Sequence, residues 1–471
     1  VAKTILAIDI GSMKVSAIIA EIDDLNQITI IGHGITKSQG VKKGIITNIE
    51  LASRSIKKAV TDARRMAGNN ISVATISISN AYAKSINATG IVNIPHKDIS
   101  IKEIRRAMDT ALYNARIPKD YEIIHVLPYN FKVDDQIAIE DPYGMNASRL
   151  EVEVNIVIAP KTALINLQKT VRSAGVEVEG IVLNSYASAI ATMSEDERSL
   201  GVCVIDMGGQ TSNMIIHAGN SIRYTDFLPV GSNHITNDLS VALHTPLSIA
   251  EMLKIKYGNL IEPSNATIDV PIMGDNDSKK EVSLEIVHSI IIARVEETLM
   301  LLAKSLNNSG FKDNIGTSVV LTGGMTQLKG IRELAQTIFQ DVSVRIGYPR
   351  ELNGVYREMK NPSYSTVIGL LLYQAREHTQ YEINYNKELL HHKEIISDMG
   401  LRNIDLGRDK SVTNPQKRAE QSHKGGAKKQ MNIDNDEGFN DDPFDFDRLP
   451  DERKKEQKTV KKLLNWAKQL F

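Results

Sequence analysis

A chain of 471 residues with 42% hydrophobic and 24% charged residues has the make-up of a soluble globular protein, long enough for roughly two to four domain-sized units. A formal net charge of -1 excludes bulk attraction to nucleic acid or anionic lipid, so any charged partner must be met locally. The single cysteine, Cys203, excludes an intrachain disulfide; within the apolar run 201–205 it reads as a buried core residue in a reducing compartment.

The opening run, Val1 to Asp9, enters a strand pattern directly, without the basic and long apolar regions of a secretion leader. No uncharged apolar stretch reaches the roughly eighteen residues that a membrane span needs. Residues 4–10 predict a strand ending in a tight turn, answered by a second strand from Val15 to Ile22 in a hairpin. Residues 28–35 and 45–46 extend that sheet. From Ile49 to Ala67 the apolar residues Ile49, Ala52, Ile56, Ala59, Val60 and Ala63 recur on one helical face, and Ile71 to Ser79 alternates as a strand.

Residues 84–160 interrupt this first half with strand-like runs at 86–94, 122–127 and 151–157 and a helix at about 101–115. Ser100 can cap that helix, with Glu103 at the capping-box position. The βββαβ plan then returns: strands at 201–206, 212–217 and 221–228, a helix at about 283–307, a strand at 318–321 and a helix at about 330–339. After about Lys387 the pattern fails, and residues 388–452 predict a disordered linker, acidic from Asp434 to Glu452. A basic segment, residues 453–471, follows.

Two turns carry the chemistry. In Asp9-Ile-Gly11-Ser12-Met13-Lys14 and in Asp206-Met-Gly208-Gly209-Gln210-Thr211, a buried strand ends in Asp and passes through glycine into the next strand. Glycine lets phosphate oxygens approach the main-chain amides, while Ser12, Thr211 and Lys14 add donors. Asp9 and Asp206 would hold Mg²⁺ through water, which Mg²⁺ gives up reluctantly. One such triplet is most often a plain hairpin turn. Two of them lie roughly two hundred residues apart, an internal duplication in outline. A third element, the strand Val319–Thr322 running into Gly323, Gly324 and Met325, lets backbone lie against a flat base or ribose. Together they predict a nucleoside triphosphate site, with ATP as the ligand.

Phosphate turn, insertion, phosphate turn and Thr-Gly-Gly turn, in this order, resemble the actin, Hsp70 and sugar-kinase superfamily. The phrases His125–Pro128, Asp141–Met145, Pro229–Asp238 and Thr245–Lys254 resemble more closely the bacterial cell-division FtsA family, over about residues 3–385 and the extreme C-terminus. The resemblance implies an α/β, actin-like duplicated nucleotide-binding fold with a small α+β subdomain inserted in its first half. Its parts would be 1A (1–83 and 161–195, completed near 362–387), 1C (84–160), 2A (196–231 and 318–361) and 2B (232–317). It also implies Gly231 and Asn233 beside the phosphates and Glu251 and Lys254 along the adenosine. Read alone, Glu251 and Lys254 are a solvated helix pair.

The departures from the pattern point away from fast hydrolysis. Asn184 stands where the superfamily often places Glu or Gln, Gln210 where a third glycine is usual, Asn213 where Asp is common, and Met13 where Ser or Thr is more frequent. A shorter amide positions an attacking water poorly, so tight ATP binding with slow turnover is expected. A sugar-kinase catalytic Asp and a chaperone's peptide-binding β-domain are not evident, which disfavours those enzymes.

In the terminal segment, Val460, Leu463, Leu464, Ala467 and Phe471, with Trp466 and Leu470 beside them, fall in an arc of roughly 160° on a helical wheel. Lys461 and the other lysines flank or oppose it. A basic amphipathic helix beyond a long linker reads as a membrane-surface anchor, which the FtsA resemblance also implies. The family resemblance further implies an ATP-dependent polymer that receives the tail of the tubulin-like FtsZ on 232–317, with Arg294 the candidate contact, at the inner face of the plasma membrane at the division septum. A pilus-assembly scaffold of the same fold is the less favoured alternative.

Overall fold

The computed structural model describes residues 2–391 except 219, 220 and 317. The expected terminal helix, residues 453–471, and residues 392–452 of the expected linker lie outside the described residues.

The first half opens with β1 (Lys3–Ile10), β2 (Lys14–Ile22) and β3 (Ile28–Lys37), then a small hairpin, β4 (Val41–Lys42) and β5 (Ile45–Ile46). Helix α1 (Ile49–Ala67) starts where the Asn48 side chain accepts the Leu51 N–H and stops at Gly68, which takes φ +63°. Its Ala52, Ile56, Ala59, Val60 and Ala63 face the core, followed by β6 (Val73–Ile78). The insertion contains β7 (Lys84–Asn93), α2 (Ile101–Asn114), β8 (Tyr121–Val133), β9 (Gln136–Ile139) and β10 (Arg149–Pro160). Helix α2 carries the Ser100–Glu103 capping box. The chain returns through α3 (Lys161–Ser173), β11 (Glu177–Leu183) and α4 (Asn184–Thr192).

The second half runs α5 (Glu195–Leu200), β12 (Val202–Met207), β13 (Ser212–Ala218), β14 (Ser221–Leu228), α6 (Ser232–Ala242), α7 (Leu247–Tyr257), β15 (Thr267–Ile272), β16 (Asp275–Ser283) and α8 (Leu284–Asn308). It ends with β17 (Ser318–Thr322), α9 (Ile331–Phe339), β18 (Ser343–Ile346) and α10 (Ser365–Gln374).

The duplication is visible in the sheets. One has the order β11-β6-β1-β2-β3, and the other, read from its far edge, β18-β17-β12-β13-β14. In each, an antiparallel three-stranded meander is joined by two parallel strands. The insertion forms a third sheet, β7-β10-β8-β9, with α2 packed on it. Of three apolar cores, one spans the first sheet and one face of the second through Val204, Ile215 and Val320, one covers the second sheet's other face, and one belongs to the insertion. Cys203 is fully buried in the second core, where burial raises its thiol pKa far above the ordinary value.

The C-terminal part of the described chain is ordered past the expected linker boundary at 388. Leu390 N–H donates to Glu382 O (2.7 Å), and Tyr381 N–H donates to Leu390 O (3.0 Å). Val126 of β8 and Ile383 exchange both backbone hydrogen bonds, which fastens this segment to the inserted sheet.

Helices α4 and α10 cross at the junction of the halves. A Cβ on Gly369 of α10 would lie 1.8 Å from Ala187 O of α4, so only glycine permits the approach. Gly369→Ala is therefore expected to cost about 2 kcal/mol or more, on the scale of overpacking, read as a lower urea midpoint; an unchanged midpoint refutes this account of the crossing.

Candidate functional site

Each turn closes on itself in the same way. Gly11 N–H donates to Lys14 O (3.1 Å), and Gly208 N–H donates to Thr211 O (2.8 Å). Both turns therefore join strands 1 and 2 of their meander at equivalent places in the duplicated sheets. They touch: a Cβ on Gly209 would meet Met13 Cγ at 2.0 Å, so the Met13 side chain lies across the second turn.

Three charged side chains gather here. Asp9 Oδ1 accepts from Ser77 Oγ (2.9 Å), and the same hydroxyl oxygen accepts the Ile10 N–H (3.0 Å). Asp206 Oδ2 accepts from Ser188 Oγ (2.8 Å) and Thr366 Oγ1 (3.2 Å). Lys14 Nζ donates to Ser363 Oγ (3.0 Å) and stands 3.5 Å from the Tyr364 ring centroid. Burial raises the Asp9 carboxyl to about 6, against the lowering effects of Ser77 and Lys14. Burial lowers Lys14 to about 8, although both aspartates pull it up. Asp206 is raised as well, again by burial, with its two hydroxyl donors opposing.

Whether this donor set fits a nucleotide with Mg²⁺ can be judged from two orphaned atoms. Strand register places Ser16 opposite Asp9 and Asn213 opposite Asp206. Ser16 (1% exposed) and Asn213 (2% exposed) each hold a side-chain oxygen with no hydrogen-bond partner. Each aspartate thus has a buried polar neighbour with unused bonding capacity, at the same place in both halves. No group of three or more His, Cys, Asp or Glu suited to a directly ligated metal occurs among the described residues. Two carboxylates with polar neighbours fit a hydrated divalent cation better than a full protein cage.

Several expected site residues are placed differently from the sequence reading. Ser232 and Asn233 N–H groups donate to Gly208 O (3.1 Å) and Gly209 O (2.7 Å), so the Gly231 turn buttresses the second turn from behind, and the Asn233 amide is not directed at a ligand. Gly231 fits only because it lacks a Cβ, which would sit 2.6 Å from Gly208 O. Met325 is 1% exposed and its side chain belongs to the second core, because the chain folds into a 3₁₀ turn directly after Gly323. Lys254 is 6% exposed and donates to Glu251 Oε2 (2.7 Å), Thr236 Oγ1 (2.9 Å) and Ser232 O (3.2 Å). Lys254 is therefore a buried tie between α6 and α7, while its partner Glu251 stays partly exposed. Gly323, at φ +90°, lies against Asp206. Gln210 Oε1 accepts the Lys43 N–H (2.8 Å), and Ser12 Oγ accepts the Gly44 N–H (2.8 Å). Asn184 Oδ1 accepts the Ser185 N–H (2.8 Å). Arg294 is engaged by Asp238 (2.5 and 3.0 Å) and Glu297 (2.6 Å).

Ser77, Ser188, Ser363, Tyr364 and Thr366 escaped the sequence reading. Ser77 alone left a trace: it lies near the end of the strand running parallel to β1, one residue beyond the Ile8–Ile76 pair.

Residues 203–369 match the family model for cell division protein FtsA, and residues 80–158 match that for the SHS2 domain inserted in FtsA. The chain is similar to the cell division protein FtsA of Helicobacter pylori, 41% identical over 411 residues, covering 80% of this chain and 83% of that protein. It is 37% identical over 374 residues to the one of Pseudomonas aeruginosa, covering 79% and 89%. Among solved structures, a PilM–PilN type IV pilus biogenesis complex matches with a TM-score of 0.57 at 16% identity, covering 79% of this chain and 98% of that one, a likeness of fold.

The raised Asp9 pKa has a consequence for stability. A carboxyl that is harder to ionise in the folded state makes the fold less stable as pH rises from about 4 through about 6. Asp9→Asn is expected to raise the urea midpoint of the nucleotide-free chain at pH 8, with the gain vanishing toward pH 4; an equal gain at both values contradicts it.

Proposed function

The chain belongs to the FtsA family of cell division proteins, and on that premise we propose that it is an ATP-binding, actin-like protein that polymerises and ties FtsZ filaments to the inner face of the plasma membrane at the division site. The observation that carries the nucleotide half of this reading is the pairing of two equivalent glycine turns with Asp9, Lys14 and Asp206 between them. Main-chain amides and Lys14 would take the phosphates, while Asp9 and Asp206 would hold Mg²⁺ through its waters. Magnesium-bound ATP supplies negative charge that Lys14 can neutralise and positive charge that the two buried carboxylates lack.

Slow turnover is part of the proposal. The Asn184 amide oxygen is occupied by its own helix, at the Ser185 N–H, and is a poor candidate for orienting a water. ATP then acts as a clamp between the halves more than as a fuel. A fluorescent ATP analogue is expected to bind the full chain and to bind at least tenfold more weakly to Lys14→Ala, with phosphate release below about one per second. Wild-type affinity in that variant, or faster release, contradicts the reading.

Membrane attachment rests on the amphipathic pattern of residues 453–471, and FtsZ binding rests on the family. A short basic helix gains about 1 kcal/mol per lysine near an anionic surface, and a filament multiplies weak anchors through effective concentration. Arg294 remains the proposed contact for the acidic FtsZ tail, although such a tail must compete with Asp238 and Glu297 for its guanidinium. One co-sedimentation experiment with anionic vesicles and FtsZ tests both parts. Deleting residues 454–471 should leave both proteins in the supernatant. Arg294→Glu should pellet itself but bring down less FtsZ. Unchanged pelleting by the deletion removes the anchor, and unchanged FtsZ recovery clears Arg294.

A further inference from the structure

Strands β4 and β5 form a hairpin whose two loop residues, Lys43 and Gly44, take φ +49° and +75°. Positive φ at both loop positions is the turn a two-residue hairpin prefers, and it leaves both loop amides without strand partners. Here each amide is given to a different glycine turn. Lys43 N–H donates to Gln210 Oε1 of the second turn and Gly44 N–H donates to Ser12 Oγ of the first, both at 2.8 Å. The root of the hairpin is held too, because Ile46 N–H donates to Tyr82 Oη (3.0 Å). A Cβ on Gly44 would lie 2.1 Å from Ser79 Oγ, so the tip sits directly on the chain that follows β6.

Met13 and Gln210, two departures of these turns from the superfamily's usual pattern, meet each other. Gln210 Nε2 is 3.9 Å from Met13 Sδ, and Met13 lies across Gly209. One side chain thus reaches from the first turn onto the second, and the other reaches from the second turn to the hairpin of the first half. A glycine in place of Gln210 would leave the Lys43 amide without its acceptor.

We infer that the Lys43–Gly44 tip is a clasp, fastened by Gln210 and Ser12, that closes the two turns over a bound nucleotide and slows its escape. The inference rests on the nucleotide reading above and adds Gln210 as a positioning residue that acts through the hairpin. The donors are backbone amides in a fixed turn, so closure has only the Gln210 and Ser12 side chains to order.

The test is the release of a fluorescent ATP analogue from the full chain, chased with excess ATP. Gln210→Ala should release it about three- to tenfold faster, the scale of one lost hydrogen bond. Gln210→Met keeps the side chain's length and neutrality but has no acceptor oxygen for the Lys43 amide, so it should release the analogue as fast as the alanine variant does. Hydrogen exchange on the loaded proteins gives a second readout: the amides of Lys43 and Gly44 should exchange faster in the alanine variant while those of α1 do not. Release at the wild-type rate from either variant, or unchanged exchange at the tip, overturns the clasp. A wild-type chain that fails to bind the analogue overturns the nucleotide reading and the clasp with it, a result distinct from failure of the clasp alone.

Discussion

The carboxylate of Asp206 is the interaction on which the arrangement of the two halves turns. It ends the central strand of the second sheet, yet both of its side-chain donors come from the crossing helices: Ser188 from α4 and Thr366 from α10. A buried carboxylate is expensive unless it is well supplied with donors, so the charge can sit there only while both helices hold their hydroxyls in place. The helices can do so because Gly369 lets their backbones approach at Ala187. Gly323 completes the enclosure, since any side chain at that position would collide with the carboxylate. Strand, helix crossing and nucleotide turn are therefore tied by one charged group.

A second buried polar group fixes the insertion to this frame. His125 of β8 and Glu382 are fully buried and 2.7 Å apart. The Leu183 N–H donates to His125 Nε2 (3.1 Å), which assigns the ring proton to Nδ1, facing Glu382. Tyr186 and Tyr373 hydroxyls donate to the same carboxylate at 3.0 and 2.7 Å. Burial pushes Glu382 up, but His125, His378 and Tyr373 outweigh it and hold the carboxyl below its ordinary range. One network thus joins β8 of the insertion, β11, α4, α10 and the segment that carries Glu382. The inserted sheet is anchored on the same two helices that carry the Asp206 donors, so insertion and cleft share a support.

Much of the architecture could be read along the chain because its signals are local. The Ser100–Glu103 box, the apolar face of α1 and the strand-turn-strand pattern at Asp9 and Asp206 each lie within a few residues, and each element formed where its pattern lies. Motif order did the rest: the two glycine turns join equivalent strands of two equivalent sheets, and the Thr-Gly-Gly element ends β17, which runs parallel to β12. Long-range partners had no such signal. Nothing local marks Ser188 and Thr366 as donors to Asp206, or the Lys43 and Gly44 amides as donors to the two turns.

By itself, then, the sequence determined the duplicated strand plan, the inserted α+β unit and the two aspartate-glycine turns, because hydrophobic period and glycine placement act on neighbouring residues. Tertiary structure alone decided what those turns meet. It turned Met325 into core and made the Gly231 segment a buttress. It buried Lys254 between helices and brought Gln210 to the hairpin tip. Each of these depends on contacts between residues far apart in the chain, which packing and burial select and no local pattern records.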